Sequence, residues 1–448
     1  MNTVELFGGL MRFNVYLMVI DVILFIYFIY DWYKMYKKTG WSLDYWNLSM
    51  TLMFFMPFLI QYPFSSSIFN AISVGSNVPM IQGSLDTCYL IFLAGYVSTY
   101  FGRYIFDKFK FKTTINFVFI QPFKQTLTKL FIICVKNSLT VRVLIVFYFV
   151  SLICILIYGA MVGAGFDIRA VFQANPEIRA FYNFVLILSS VVSLLLTARI
   201  FQYNRLIDKL LMFLFLIFTL FIGARAFLAQ PIISLFGFYV FYSKRGRISL
   251  LKVGAIGISV MFLGISLSAI RAGEFSLRSF AVGFGEQIFF GNSYSDLRDF
   301  AWVYSYWDGT LLYGKTYLAA FMSFIPSFLS DFRTEWTAGK FTATTVGFDP
   351  LVHPGLRPGL FGEAFLNFGL IGVIFLGIIF GYALKYVDFN IRRSSLSKDK
   401  IGGIAATVSI MFIFNLPVTS GFFSLYVFIV VLILASLAVN ALKRLSGI

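Results

Sequence analysis

The chain reads as an all-α polytopic membrane protein, with about eleven transmembrane helices and one large loop on the outer side. Three observations predict this. Only 12% of its 448 residues are charged, about half the fraction found in soluble domains. Apolar runs near the length needed to cross a bilayer recur along the whole chain. Lysine and arginine fall in alternate connections between those runs, as the positive-inside rule requires.

Eleven apolar runs are expected to span, at roughly 13–30, 48–63, 87–102, 143–160, 181–198, 210–222, 226–242, 253–270, 359–383, 403–416 and 423–440. The first has no basic stretch before it and no small-residue cleavage site, so it is read as a retained helix. Segments 31–47, 103–142, 199–209, 243–252, 384–402 and 441–448 hold 25 of the 36 lysines and arginines. They are therefore assigned to the cytoplasm, which puts the N-terminus outside and the C-terminus inside. The cytoplasmic loop 103–142 mixes basic and apolar residues (FDKFKFKTTINFVF) and suits a segment lying on the anionic inner leaflet.

TLLYGKTYLAAFMSFIPSFLS, residues 310–330, is apolar enough to resemble a twelfth span. Counting it would place the basic run KYVDFNIRRSSLSKDK outside. It carries Lys315 and is interrupted by Pro326, so an interfacial or re-entrant helix near 311–329 is expected instead. Residues 271–358 then form one extracytoplasmic loop of about 88 residues, and loops of that length are usually functional. No internal repeat or soluble domain interrupts a single membrane-embedded unit over 1–448.

The net charge of +16 points to loops facing anionic lipid rather than to nucleic acid. Three cysteines at unrelated positions imply neither a disulfide framework nor a metal site, and no cofactor is expected. The informative chemistry lies on the outer side. Arg225 sits in the short turn of GARAFLAQP. Arg271 ends the eighth span, and Arg278, Arg298 and Arg357 lie in the long loop. Arginine at a membrane surface is costly unless an anion is near, and its planar fork grips phosphate oxygens in pairs. Each arginine could instead snorkel or pair with a loop carboxylate such as Glu274, Asp296 or Asp299.

HPGLRPGLFGE, residues 353–363, holds the only histidine, His353, with Arg357 and Glu363. Pro358 suits the first turn of the ninth span, whose free amides would make an anion site beside Arg357. Glu363 then lies little more than a turn inside, with Asn367 on the same face, while Gly362, Gly369 and Gly372 would let neighbouring helices approach. Glu363 could serve in proton transfer or simply complement the helix dipole, and His353 could be an ordinary loop histidine.

YGKTYLAAFMSFIPSFL, FTATTVGFDP and PGLFGEAFLNFGLIGVIFLGIIFG together resemble the bacterial O-antigen and oligosaccharide repeat-unit polymerases. GARAFLAQP is similar to the small-Arg-small turn of the related O-antigen ligases, with Ala224 and Ala226 where the ligases have serine and glycine. Specific likeness covers about 140 residues. The resemblance implies a membrane fold of the glycosyltransferase type C kind in the bacterial inner membrane. It also implies glycosyl transfer on the periplasmic face, from undecaprenyl diphosphate to the terminal sugar hydroxyl of a lipid-linked repeat unit. Partners would be that lipid-linked oligosaccharide, membrane lipids and a chain-length regulator. Diphosphate is a good leaving group, so arginines suffice to stabilise it and the remaining need is a base. Glu363 is the first candidate and His353 the second, with Arg225, Arg271, Arg357, Arg298, Arg278 and Asn367 as diphosphate or substrate ligands. An O-antigen ligase acting on lipid A core is the alternative of like chemistry, and a flippase or transporter the alternative of another class.

Overall fold

A computed structural model describes residues 14–60, 62–64, 78–109, 120–163, 171–172, 175–221, 225–272, 294–350, 353, 355–396, 400–414, 416 and 420–446. All regular structure among them is helical. In chain order the helices are α1 Val15–Thr39, α2 Tyr45–Ile60, α3 Val78–Phe109, α4 Ile120–Lys136 and α5 Ser138–Met161. Next come α6 Pro176–Tyr203, α7 Leu206–Phe221, α8 Arg225–Phe238 with a wider turn to Ser243, and α9 Leu250–Ala272. The long loop contributes α10 Asp296–Tyr306, α11 Lys315–Phe321, α12 Asp331–Glu335 and α13 Ala338–Thr345. The chain ends with α14 Gly359–Ser395, α15 Lys400–Phe414 and α16 Ser420–Ser446.

Each apolar run lies largely or wholly on helix. Among the described residues, five stretches are by themselves long and apolar enough to cross a membrane: Val15–Thr39, Ser138–Met161, Ile178–Tyr203, Gly359–Ser395 and Gly421–Ala441. The ends follow local rules. Asn14 Oδ1 accepts from the Tyr16 amide at the start of α1, Gly40 closes it in the left-handed region, and Lys37 and Lys38 complement its negative end.

Contacts divide the chain into two compact units, although the sequence marks no boundary. The first holds residues 1–111, 274–388 and 417–419. Aromatic rings dominate its core: Phe58 stacks on Tyr89 with centroids 4.4 Å apart, and Phe361 packs against Phe54 and Phe92. Apolar burial does little to join helices within lipid, so close backbone approach has to supply the contact. A Cβ on Gly102 would strike the Ile378 carbonyl, and one on Gly381 the Thr99 carbonyl. Gly362 gives the expected close approach, against the Phe300 ring, while farther along α14 Gly377 and Gly381 provide it in place of Gly369 and Gly372. Those two serve the bend of α14 itself: Gly369 is its break, and a Cβ on Gly372 would meet Phe368 and Ala364. Arg103 grips Asp31 through both terminal nitrogens, at 2.6 and 3.2 Å, and lies over the Trp46 ring.

Residues 112–273, 389–416 and 420–448 form the second unit. Here the structure departs from the expected loop 103–142. Residues 120–136 form α4, which packs on α15 and α16 rather than lying only along a lipid surface. Leu127, Phe131, Cys134 and Val135 are buried on one face, and the Thr128 hydroxyl meets Ser409 at 3.2 Å. Lys129 and Lys136 point outward on the other. The buried pair Arg199–Asp208, at 3.0 Å, joins α6 to α7, and Arg199 also donates to the Val135 carbonyl at the end of α4.

Candidate active site

Helix α14 starts at Gly359, immediately after Pro358, and is broken ten residues later. Gly369 adopts φ 64°, ψ −158°, a conformation that is inexpensive only for glycine. In an unbroken helix the carbonyls of residues 366 and 367 would face the amides of 370 and 371. Here Leu366 O accepts from the Leu312 amide at 3.0 Å and Asn367 O from the Tyr313 amide at 2.9 Å. Tyr313 and Gly314 both take left-handed backbone angles, which brings the Gly314 amide onto Asn367 Oδ1 at 3.1 Å. The long loop is thus stapled to α14 about 10 Å beyond its first residue. No continuous helix covers 310–330: α11 is followed by single turns at Met322–Phe324 and Ser327–Leu329 around Pro326.

The staple delivers Thr316 to Glu363. The Thr316 hydroxyl donates to Glu363 Oε1 at 2.8 Å, and all three side chains of the Thr316, Glu363 and Asn367 group are buried. Their directions are fixed by valence. The Gly314 amide can only donate, so it must meet the Asn367 oxygen, and the Glu363 carbonyl can only accept, so it must meet the Asn367 nitrogen at 2.9 Å. Asn367 Nδ2 also donates to Thr316 Oγ1 at 2.8 Å, which leaves the Thr316 proton for the carboxylate. Glu363 is held as a hydrogen-bond acceptor in a single orientation.

A second cluster lies at the mouth of the same helix. Asp299, in α10, takes the Arg298 Nε and Nη2 protons at 2.9 and 2.6 Å, the Ser295 hydroxyl at 2.9 Å and the Arg357 amide at 3.3 Å. The exposed Arg357 side chain reaches Ser295 Oγ at 3.2 Å. Burial pushes the Asp296 carboxyl up to about 6; Arg357 opposes the rise and Asp299 adds to it. Lys315 sits 3.9 Å over the Trp336 ring and ties α11 to the residue that follows α12.

The sequence candidates divide accordingly. Glu363 and Asn367 share one hydrogen-bonded group, as their spacing of four suggests. Arg298 is buried against its neighbour Asp299, the pairing with a loop carboxylate that stood as the alternative to phosphate binding. His353 is engaged in its own turn: Nδ1 accepts from the Gly355 amide at 3.1 Å and the ring lies 4.5 Å from Phe348. Arg225 opens α8 and Arg271 lies in the last turn of α9, with side chains outside the described residues, as is the whole of Arg278. Sequence reasoning missed Thr316, Tyr317 and Ser295. The first two stand in the YGKTY stretch, where two hydroxyls in a row within an apolar segment were the available signal. Among the described residues no three His, Cys, Asp or Glu side chains gather as a metal site would require. No known protein family, curated protein or solved structure matches the chain.

Proposed function

We propose that the chain polymerises undecaprenyl-diphosphate-linked oligosaccharide repeat units on the periplasmic face of the bacterial inner membrane. The anomeric carbon of the growing glycan leaves its diphosphate oxygen and bonds to the terminal sugar hydroxyl of a new repeat unit. The hydroxyl proton passes to Glu363, and undecaprenyl diphosphate departs. The observation that carries this reading is the Thr316–Glu363–Asn367 group: a carboxylate fixed as an acceptor, four residues into a helix of spanning length, by a loop that reaches it from outside that helix. A carboxylate so positioned suits a general base. Arg357, two residues before the same helix, is an exposed guanidinium among the described residues and suits a diphosphate.

The glycan ladder of a deletion strain tests this reading against its nearest rival. Loss of long chains, with one repeat unit still attached to lipid A core, is the expected pattern. Full-length polymer left on the lipid carrier would make the chain a ligase, and an unchanged ladder would remove it from this pathway.

A further inference from the structure

Tyr317 follows Thr316 in α11, and its ring stacks on Phe368, the residue after Asn367, with centroids 6.0 Å apart and planes 14° from parallel. The phenol lies beside Phe368, one residue along α14 from Asn367, and near enough to Glu363 to feel its charge. Its hydroxyl is buried and has no hydrogen-bond partner among the described residues. A buried hydroxyl without a partner is destabilising, and such groups in a folded protein call for an explanation. The neighbouring polar side chains are already committed: Thr316 donates to Glu363, and Asn367 uses both its oxygen and its nitrogen within the group. Burial, reinforced by the Glu363 charge, pushes the Tyr317 phenol well above its ordinary range, so it keeps its proton. It is a donor awaiting an acceptor.

We propose that the Tyr317 hydroxyl is a substrate-binding donor of the Glu363 site and hydrogen-bonds a sugar oxygen adjacent to the acceptor hydroxyl. The assignment rests on the reading of Glu363 as the base. It places a saccharide, rather than the lipid or the diphosphate, against α11, and it explains why a hydroxyl is present where phenylalanine would fill the same space. The stacking on Phe368 holds the ring, so the hydroxyl needs no partner inside the chain to be aimed.

Tyr317→Phe keeps the ring and its stacking and removes only the hydroxyl. The full-length purified variant is compared with wild type and with Glu363→Gln, using lipid-linked repeat units isolated from cells that lack this chain. The thermal midpoint of Tyr317→Phe should equal or exceed that of wild type, because no internal hydrogen bond is lost. Its kcat/KM should fall about tenfold, mainly through a higher KM for the acceptor, as expected when a bond is made in both ground and transition states. A lowered thermal midpoint would make the hydroxyl structural and overturn the proposal. Full activity of Tyr317→Phe beside an inactive Glu363→Gln would overturn it while leaving the base in place. An active Glu363→Gln, or no polymer from wild type, would overturn the reading beneath it and the proposal together.

Discussion

Glu363→Gln is expected to lower the rate of polymerisation by roughly 100-fold to 10,000-fold, the range for loss of a general base. The substitution is close to isosteric. Glutamine can present its carbonyl oxygen to the Thr316 hydroxyl as Glu363 Oε1 does at 2.8 Å, so the staple between α11 and α14 should survive and the protein should accumulate normally. What disappears is the basic carboxylate. His353→Ala should cost far less, because the histidine accepts from Gly355 within its own turn and lies against Phe348 rather than against the Glu363 group. A histidine base would reverse that order. Polymer formation by the two variants from purified repeat units decides the matter. A near-normal rate in Glu363→Gln would end the assignment.

The largest expected effect on stability lies in the second unit. Arg199 and Asp208 are both about 97% buried, paired at 3.0 Å across the turn between α6 and α7, and Arg199 also holds the Val135 carbonyl at 2.8 Å. The turn itself is tight: Asn204 takes a left-handed φ of 52°. Removing one member of such a pair leaves the other charged and desolvated, which costs about 3–5 kcal/mol. Arg199→Ala should therefore melt well below wild type in detergent or fail to accumulate. The double variant Arg199→Leu, Asp208→Leu should recover much of that loss, since the cost comes from the orphaned charge rather than from absence of the pair. If Arg199→Ala melts with wild type, the pair contributes nothing and the turn is held by packing alone.

How far the sequence foretold these features depended on distance along the chain. The apolar runs report burial or lipid contact locally, and each one lies largely or wholly on helix. Glu363 and Asn367 were placed on one face because four residues make slightly more than a helical turn. Their partner Thr316 is 47 residues away from Glu363. It arrives there only because Gly369 breaks α14 and frees the carbonyls that the Leu312 and Tyr313 amides find. In sequence Gly369 is one of 35 glycines, and nothing local distinguishes a break from a close approach. Arg298 shows the same limit at short range: a guanidinium beside an acid can turn to it or to a ligand, and burial of both decided for Asp299. For α4 the signal was present, with Leu127, Phe131, Cys134 and Val135 at helical spacing. Its lysines equally suit an anionic lipid surface, and only the packing of that face on α15 and α16 distinguishes the two.

The proposed activity requires that this chain by itself join lipid-linked repeat units. The most direct measurement supplies the purified full-length chain with undecaprenyl-diphosphate-linked repeat units in detergent or vesicles, then follows both glycan length and released undecaprenyl diphosphate. A ladder of lipid-linked polymer should lengthen with time, with one undecaprenyl diphosphate freed for each bond made and both signals lost together in Glu363→Gln. Repeat units that stay monomeric, while the same chain moves preformed glycan onto lipid A core, would contradict it.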